Sequence, residues 1–283
     1  MAISKSKQMV GAIGDMVYRT RYGRQELISK AARVSQPRTP SQMSQRSKWP
    51  NLLAMYRAFK PYARHCFEEK APGVSDYNRF LGVNMMSYSV YITRQMSSMK
   101  QGVAAPYIVS AGTLESIRVT GAGREAVTDI ALRDFTLDEA TTVGDFARAV
   151  VEQNPTFLYY DQLMFLLFKQ TTDSYDQAPY IRSDGWMVTL DPMDTTPLFS
   201  VVSPLGFHLG GEGFLAVSPD IPQGTYGWIH SRQTSGGKVL VSTQRLIDNN
   251  PLLARYTDRE ALRASMQSYG VKKPPFISPE PDF

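Results

Sequence analysis

Cys66 is the chain's one cysteine, and its three histidines, His65, His208 and His230, stand far apart in the sequence. A lone cysteine can form neither an intramolecular disulfide nor a multi-thiolate metal site. Cys66 lies in an apolar, helix-like stretch with Tyr62 and Phe67, where a buried structural thiol is expected; only His65 stands close enough to lower its pKa. No histidine pair has the HExxH spacing that turns two imidazoles toward one metal, so no metal site is expected. Asp191 and Asp194 could share a ligand, but Pro192 between them and Thr195-Thr196-Pro197 after them spell a turn. A paired-carboxylate catalyst needs two separately tuned acids in one cleft, and nothing identifies such a pair. Gly121-Ala122-Gly123 and Gly210-Gly211-Glu212-Gly213 lie between strand-like runs and lack a GK[ST] element, so they read as turns rather than phosphate cradles. No serine sits in a GxSxG elbow. The expectation is binding or assembly rather than catalysis, with no catalytic residue and no cofactor.

One constellation does carry a chemical bias, and it is electrostatic. Residues 1–64 hold thirteen Lys and Arg against Asp15 and Glu26, a net of +11, while the remainder carries eighteen basic and twenty-four acidic side chains, a net of −6. Lys5, Lys7, Arg19, Arg21, Arg24, Lys30, Arg33, Arg38, Arg46 and Lys48 are the candidate contacts, with Tyr18, Tyr22 and Trp49 among them. Such a surface suits either an acidic face of another subunit or the phosphates of a nucleic acid, with stacking as a supplement. No helix-turn-helix, zinc-finger or RNP pattern accompanies it, which puts the subunit contact first.

These residues must be positioned by local elements. Met16 to Arg21 and Arg24 to Ser29 predict a hairpin around Tyr22-Gly23, with Arg19, Arg21 and Arg24 toward its tip. Thr39-Pro40-Ser41-Gln42 predicts a capped helix start, running to about Phe59 with Pro50 kinking or dividing it. Apolar residues from Tyr77 to Met96 recur at helical spacing and predict one helix over Asp76 to Met99, followed by a linker over Lys100 to Pro106.

From Tyr107 onward the pattern changes to short β-type runs. They fall at 107–109, 116–119, 128–135, 163–168, 186–190, 198–202, 213–217, 226–232 and 239–246, a spacing that suits a sandwich or barrel. Capping boxes at Thr142 to Asp145 and at Thr257 to Glu260 predict a helix over Val143 to Glu152 and another that stops at Gly270. The apolar window Phe157 to Phe168 contains Asp161 and Gln162 and is too short to span a bilayer. No apolar stretch follows Lys5 and Lys7 as a secretory signal would, so a cytoplasm-made protein without a membrane partner is expected.

The fold class that follows is α+β: a basic hairpin and helical module over 1–104, a β-rich domain with an inserted helix and a C-terminal helix over 105–271, and a Pro-rich arm over 272–283. Pro274, Pro275, Pro279 and Pro281 keep that arm extended, leaving Phe276, Ile277 and Phe283 without a core of their own. They are the candidate anchors on a neighbouring subunit.

With those residues in view, the N-terminal part resembles a domain family of unknown function from Bacteroidota, their phages and mobile elements. The carriers are Gly11 and Gly14, Val17-Tyr18 with Gly23 at the turn, Pro37-Arg38-Thr39-Pro40-Ser41-Gln42 leading to Gln45-Arg46, then Tyr77-Asn78-Arg79-Phe80 and Val109-Ser110-Ala111-Gly112-Thr113-Leu114. The resemblance covers roughly residues 1–120 and is looser over Gly227 to Arg232 and Val241 to Gln244. It brings no catalytic residues and implies a bacterial or phage origin with a non-enzymatic role. The expected function is a virion neck, ring or tail-connector subunit that forms a homo-oligomer with other proteins of the same assembly, with no small-molecule substrate. A nucleic-acid-binding accessory protein in the cytoplasm is the alternative.

Overall fold

The computed structural model describes residues 11–21, 24–29, 39–68, 74–171 and 179–271. Strands Gly11–Ile13 (β1), Met16–Arg21 (β2) and Arg24–Ser29 (β3) form an antiparallel three-stranded sheet. Both strands of the expected hairpin are present, and Gly14, at φ 59°, supplies the left-handed turn that adds β1 before them. The register pairs Met16 with Ser29, Arg19 with Glu26 and Arg21 with Arg24.

The Thr39 hydroxyl accepts the Gln42 N–H and starts the helix Pro40–Phe59 (α1), with Pro40 where the missing N–H is no loss. Pro50 lies inside α1, and the helix continues through it rather than dividing. The single helix expected over 76–99 is two, Asp76–Asn84 (α2) and Arg94–Ser98 (α3). Asn84 ends the first by turning its amide onto the Ile108 backbone, donating to the carbonyl and accepting from the N–H at 2.7 Å each. The chain then runs extended with Val90 and Ile92 fully buried, and the Thr93 hydroxyl caps α3. β-Branched side chains on a buried extended segment outweigh the helical spacing here. Residues 101–105, expected as a linker, are buried. Asn51 holds them through bonds to both the N–H and the C=O of Val103.

Next come Ile108–Ser110 (β4), Val119–Thr120 (β5), Val127–Ala131 (β6) and the helix Val143–Gln153 (α4), whose Thr142–Asp145 capping box is fully formed. Gln162–Thr171 (β7) and Tyr180–Thr189 (β8) follow. Leu198–Val201 is a short helix (α5), not the expected strand; Pro197 fixes its entry and the Leu198 N–H donates to the Thr141 carbonyl. The chain continues through His208–Leu209 (β9), Phe214–Ala216 (β10), Gly224–Gln233 (β11), Val239–Val241 (β12), Gln244–Arg245 (β13) and Ile247–Asn249 (β14). Arg259–Ser268 (α6) is capped by Asp258, one residue later than expected, and ends before Gly270 at φ 92°.

These strands make a four-stranded sheet, β5-β6-β10-β9, and a five-stranded one, β12-β11-β7-β8, with β14 also on β11; β4 pairs with β13. β7 explains how they stack, because it is apolar on both faces. Leu163, Phe165 and Leu167 enter a core with Ile130 and Leu215 of the four-stranded sheet and with Phe146 and Val150 of α4. Met164, Leu166 and Phe168 enter a second core with Leu52, Met55 and Phe59 of α1 and Phe80 of α2. Each such side chain contributes about 1.5–3 kcal/mol by burial. Residues 163–168 of the apolar window are therefore a doubly covered strand, and no described helix is long and apolar enough to cross a membrane. The second core draws residues from both sides of the boundary expected at 104/105. The fold is α+β with a β-rich C-terminal region.

Candidate assembly surface

The basic residues expected to act together fall into three groups. Lys5, Lys7, Lys30, Arg33 and Arg38 lie outside the described residues, as do the arm anchors Phe276, Ile277 and Phe283. Arg19, Arg21 and Arg24 are brought together on the hairpin by its register. Arg19 is already paired, its guanidinium 2.9 Å from the Glu26 carboxylate directly across the strands. Arg46 and Lys48 lie on α1 instead, Arg46 exposed and the Lys48 ammonium 6.0 Å above the Tyr91 ring. Trp49 beside them is 39% exposed.

The hairpin sheet has a second property that net charge does not reveal. Met16, Leu27 and Ile28 are exposed, and none of the described side chains of β1 to β3 belongs to a hydrophobic cluster. The sheet thus presents apolar side chains as well as cations.

The candidate reactive groups resolve into structural roles. Cys66 is fully buried, its Sγ–H donates to the Tyr62 carbonyl at 3.2 Å, and burial pushes the thiol's pKa up, away from thiolate chemistry. Asp191 and Asp194 accept the N–H groups of Met193 and Thr196 two residues on, as the turn reading requires. Gly213, at φ 74°, belongs to a turn. His208 is exposed on β9. Among the described residues no three His, Cys, Asp or Glu groups gather as a metal site would need. A cleft of about 170 Å³ is lined by Glu115, Ser116, Asp129, Thr156 and Phe157, and burial, with Glu115 beside it, raises the Asp129 carboxyl above the ordinary aspartate pKa.

Sequence reasoning missed a buried ionic cluster. Asp161, 2% exposed, lies 2.7 Å from His230 Nε2 and accepts two bonds from Arg232 at 2.7 Å each and the Leu158 N–H at 2.8 Å. Arg232 also donates to the Thr156 carbonyl, and the His230 ring stacks on Phe157 at 4.2 Å. Burial alone would raise the Asp161 pKa, but the bonds from Arg232 and His230 outweigh it and hold the carboxyl below the ordinary aspartate value. The signals for this cluster were Asp161 at the mouth of an apolar strand and His230-Ser231-Arg232 on another. With both oxygens of Asp161 engaged, the cluster braces the 156–161 turn against β11.

Comparison with known proteins adds one finding. The model of a family of unknown function, DUF6266, matches residues 6–146, a span holding the hairpin, α1 and the start of α4. No curated protein and no solved structure matches the chain.

Proposed function

We propose that this chain is a structural subunit of a homo-oligomeric ring, of the kind that forms the neck or tail connector of a phage virion. The observation that carries the reading is the β1–β3 sheet, which exposes Met16 and Leu27 on one face and Ile28 on the other and enters no hydrophobic cluster of the described residues. A small sheet needs a covered apolar face to be stable, so this one is built to be covered by another chain. The charge division supports the same reading, because a ring is closed by heterologous contacts in which one face meets a different face of the next copy. The phage setting rests on the N-terminal resemblance alone. Size-exclusion chromatography with light scattering, joined to micrographs of native particles, tests the proposal: a discrete oligomer is expected, and a strict monomer absent from any particle overturns it.

Nucleic-acid binding is the second reading, favoured by Arg21 and Arg24 standing opposite one another in the hairpin register. It is weakened by the Arg19–Glu26 pair, which occupies one of the three hairpin cations. Replacing Arg19, Arg21 and Arg24 by Ala would lower the salt slope of DNA affinity by about one unit for each phosphate that these side chains no longer neutralise. An unchanged slope, or no binding by the wild type at low salt, removes this reading.

A further inference from the structure

The turn at residues 158–160 is the most conspicuous surface on the body. Leu158 is 51% exposed, Tyr159 38% and Tyr160 63%, and Met193 on the adjoining loop is 81% exposed. The two segments are joined by the Tyr160 N–H to the Leu190 carbonyl and by the Leu190 N–H to the Asp161 carbonyl, both at 2.8 Å. Tyr160 has φ 70°, a left-handed conformation that an aromatic residue adopts only when its surroundings impose it. The surroundings here do so: Asp161 is locked by Arg232 and His230, and its carboxylate also holds the Leu158 N–H. A buried ionic brace therefore holds a strained turn whose own side chains are open to solvent. Rigid, exposed Tyr side chains lose little entropy on contact and are prominent among the side chains from which interface hot spots are made.

Charge says what fits there. Residues 134–194, which contain both segments, carry eleven acidic side chains against three basic ones; of these, Asp161 is buried and paired with Arg232, and Arg148 is bonded to the Pro192 carbonyl beside Met193. Asp194 is half-buried, and its bonds from Thr196 keep the carboxyl below the ordinary aspartate pKa. The exposed apolar residues of opposite electrostatic setting are Met16 and Leu27 on one face of the hairpin and Ile28 on the other; the hairpin, residues 11–29, carries Arg19, Arg21 and Arg24 against Asp15 and Glu26, a net of +1, within the 1–64 segment of net +11. We infer that the Leu158–Tyr160 turn and the Met193 loop form the surface that receives the basic β1–β3 hairpin of a second copy. This rests on the assembly reading and names its contact. Apolar burial at the centre would supply affinity, and the opposed charges would steer and orient the two faces.

The test uses two variants of the full chain. One alters the turn by Tyr159→Ser, Tyr160→Gly and Met193→Ser; glycine accepts the positive φ, so the fold is spared. The other alters the hairpin by Leu27→Glu and Ile28→Glu. Each alone should weaken self-association by about tenfold or more in light scattering, with its thermal melt near that of the wild type. Mixed together they should form a dimer and nothing larger, because one copy retains a working turn and the other a working hairpin. A turn variant that assembles like the wild type overturns this inference and leaves the assembly proposal standing. Two monomeric variants that give no mixed dimer likewise exclude this pairing of faces. A monomeric wild type sinks both proposals. Leu27→Cys with Tyr159→Cys gives a reading that does not depend on impaired assembly: disulfide-linked chains should form on oxidation, since the native Cys66 is buried, and their failure to form in an assembling protein counts against the contact.

Discussion

At the scale of single residues, Asp161 is the group on which most depends. It satisfies Arg232, His230 and the Leu158 N–H together, so replacing it by Asn removes the charge and leaves a single oxygen for a buried imidazole, a half-covered guanidinium and a backbone N–H. Asp161→Asn should cost about 3 kcal/mol, the low end for breaking a buried pair because Arg232 retains some solvent exposure. The pH dependence has a definite sign. A carboxyl whose pKa is lower folded than unfolded contributes stability that is fully present above the unfolded value, about 3.9, and is lost as pH falls through the lower folded value. Between pH 5 and pH 2 the wild-type melting temperature should therefore fall more steeply than that of Asp161→Asn. Parallel curves would show that Asp161 carries no such linkage.

At the scale of elements, β7 and β11 meet too closely at one point for any side chain but glycine. Gly224 has φ 146°, and a Cβ there would run into the Phe168 carbonyl of the neighbouring strand. Gly224→Ala should lose about 1–3 kcal/mol in a denaturant titration, from strain and from separated ladder bonds. Gly236→Ala, whose Cβ meets only Thr234 Oγ1 at 3.9 Å, should stay within about 0.5 kcal/mol. Equal losses at both sites would refute the close-approach account. Elements of this kind were unevenly legible in the sequence. The hairpin, α1, α4 and α6 were readable because their signals are local: a turn glycine, Pro40 after Thr39, the Thr142–Asp145 box. The break between α2 and α3 and the helix at Leu198–Val201 were not, because their causes are partners distant in sequence, Ile108 for Asn84 and Thr141 for Leu198. The same holds for the candidate surface. The charge division is plain from the residues, but the brace behind Tyr160 joins Asp161 to side chains 69 and 71 positions away.

At the scale of the whole molecule, two kinds of electrostatics coexist and should respond differently to salt. The body's ionic cluster is internal, with Asp161 and His230 each at 2% side-chain exposure, so mobile ions barely reach it. In the proposed assembly, the attraction between a segment of net +11 and a remainder of net −6 would act between copies, across surfaces open to solvent as they approach. Raising ionic strength from 0.1 to 1 M shortens the screening length from about 10 Å to about 3 Å, which removes most of the steering but not the apolar contact. Association should therefore slow strongly with salt while dissociation changes little, because encounter depends on the long-range field and residence on the buried apolar centre. The melt of the isolated monomer should move little over the same range. The hairpin variant Leu27→Glu with Ile28→Glu divides the two contributions further. It removes an exposed apolar side chain from each face of the hairpin and adds two negative charges to an element proposed to meet an acid-rich surface, so its dissociation should quicken and its association slow together, while its melt stays close to the wild-type value because the described side chains of β1 to β3 contribute to no core. Stopped-flow light scattering across salt resolves both rates. An association rate indifferent to salt would mean that the charge division does not drive assembly, and a melt that falls with the hairpin variant would mean that the sheet is packed within its own chain.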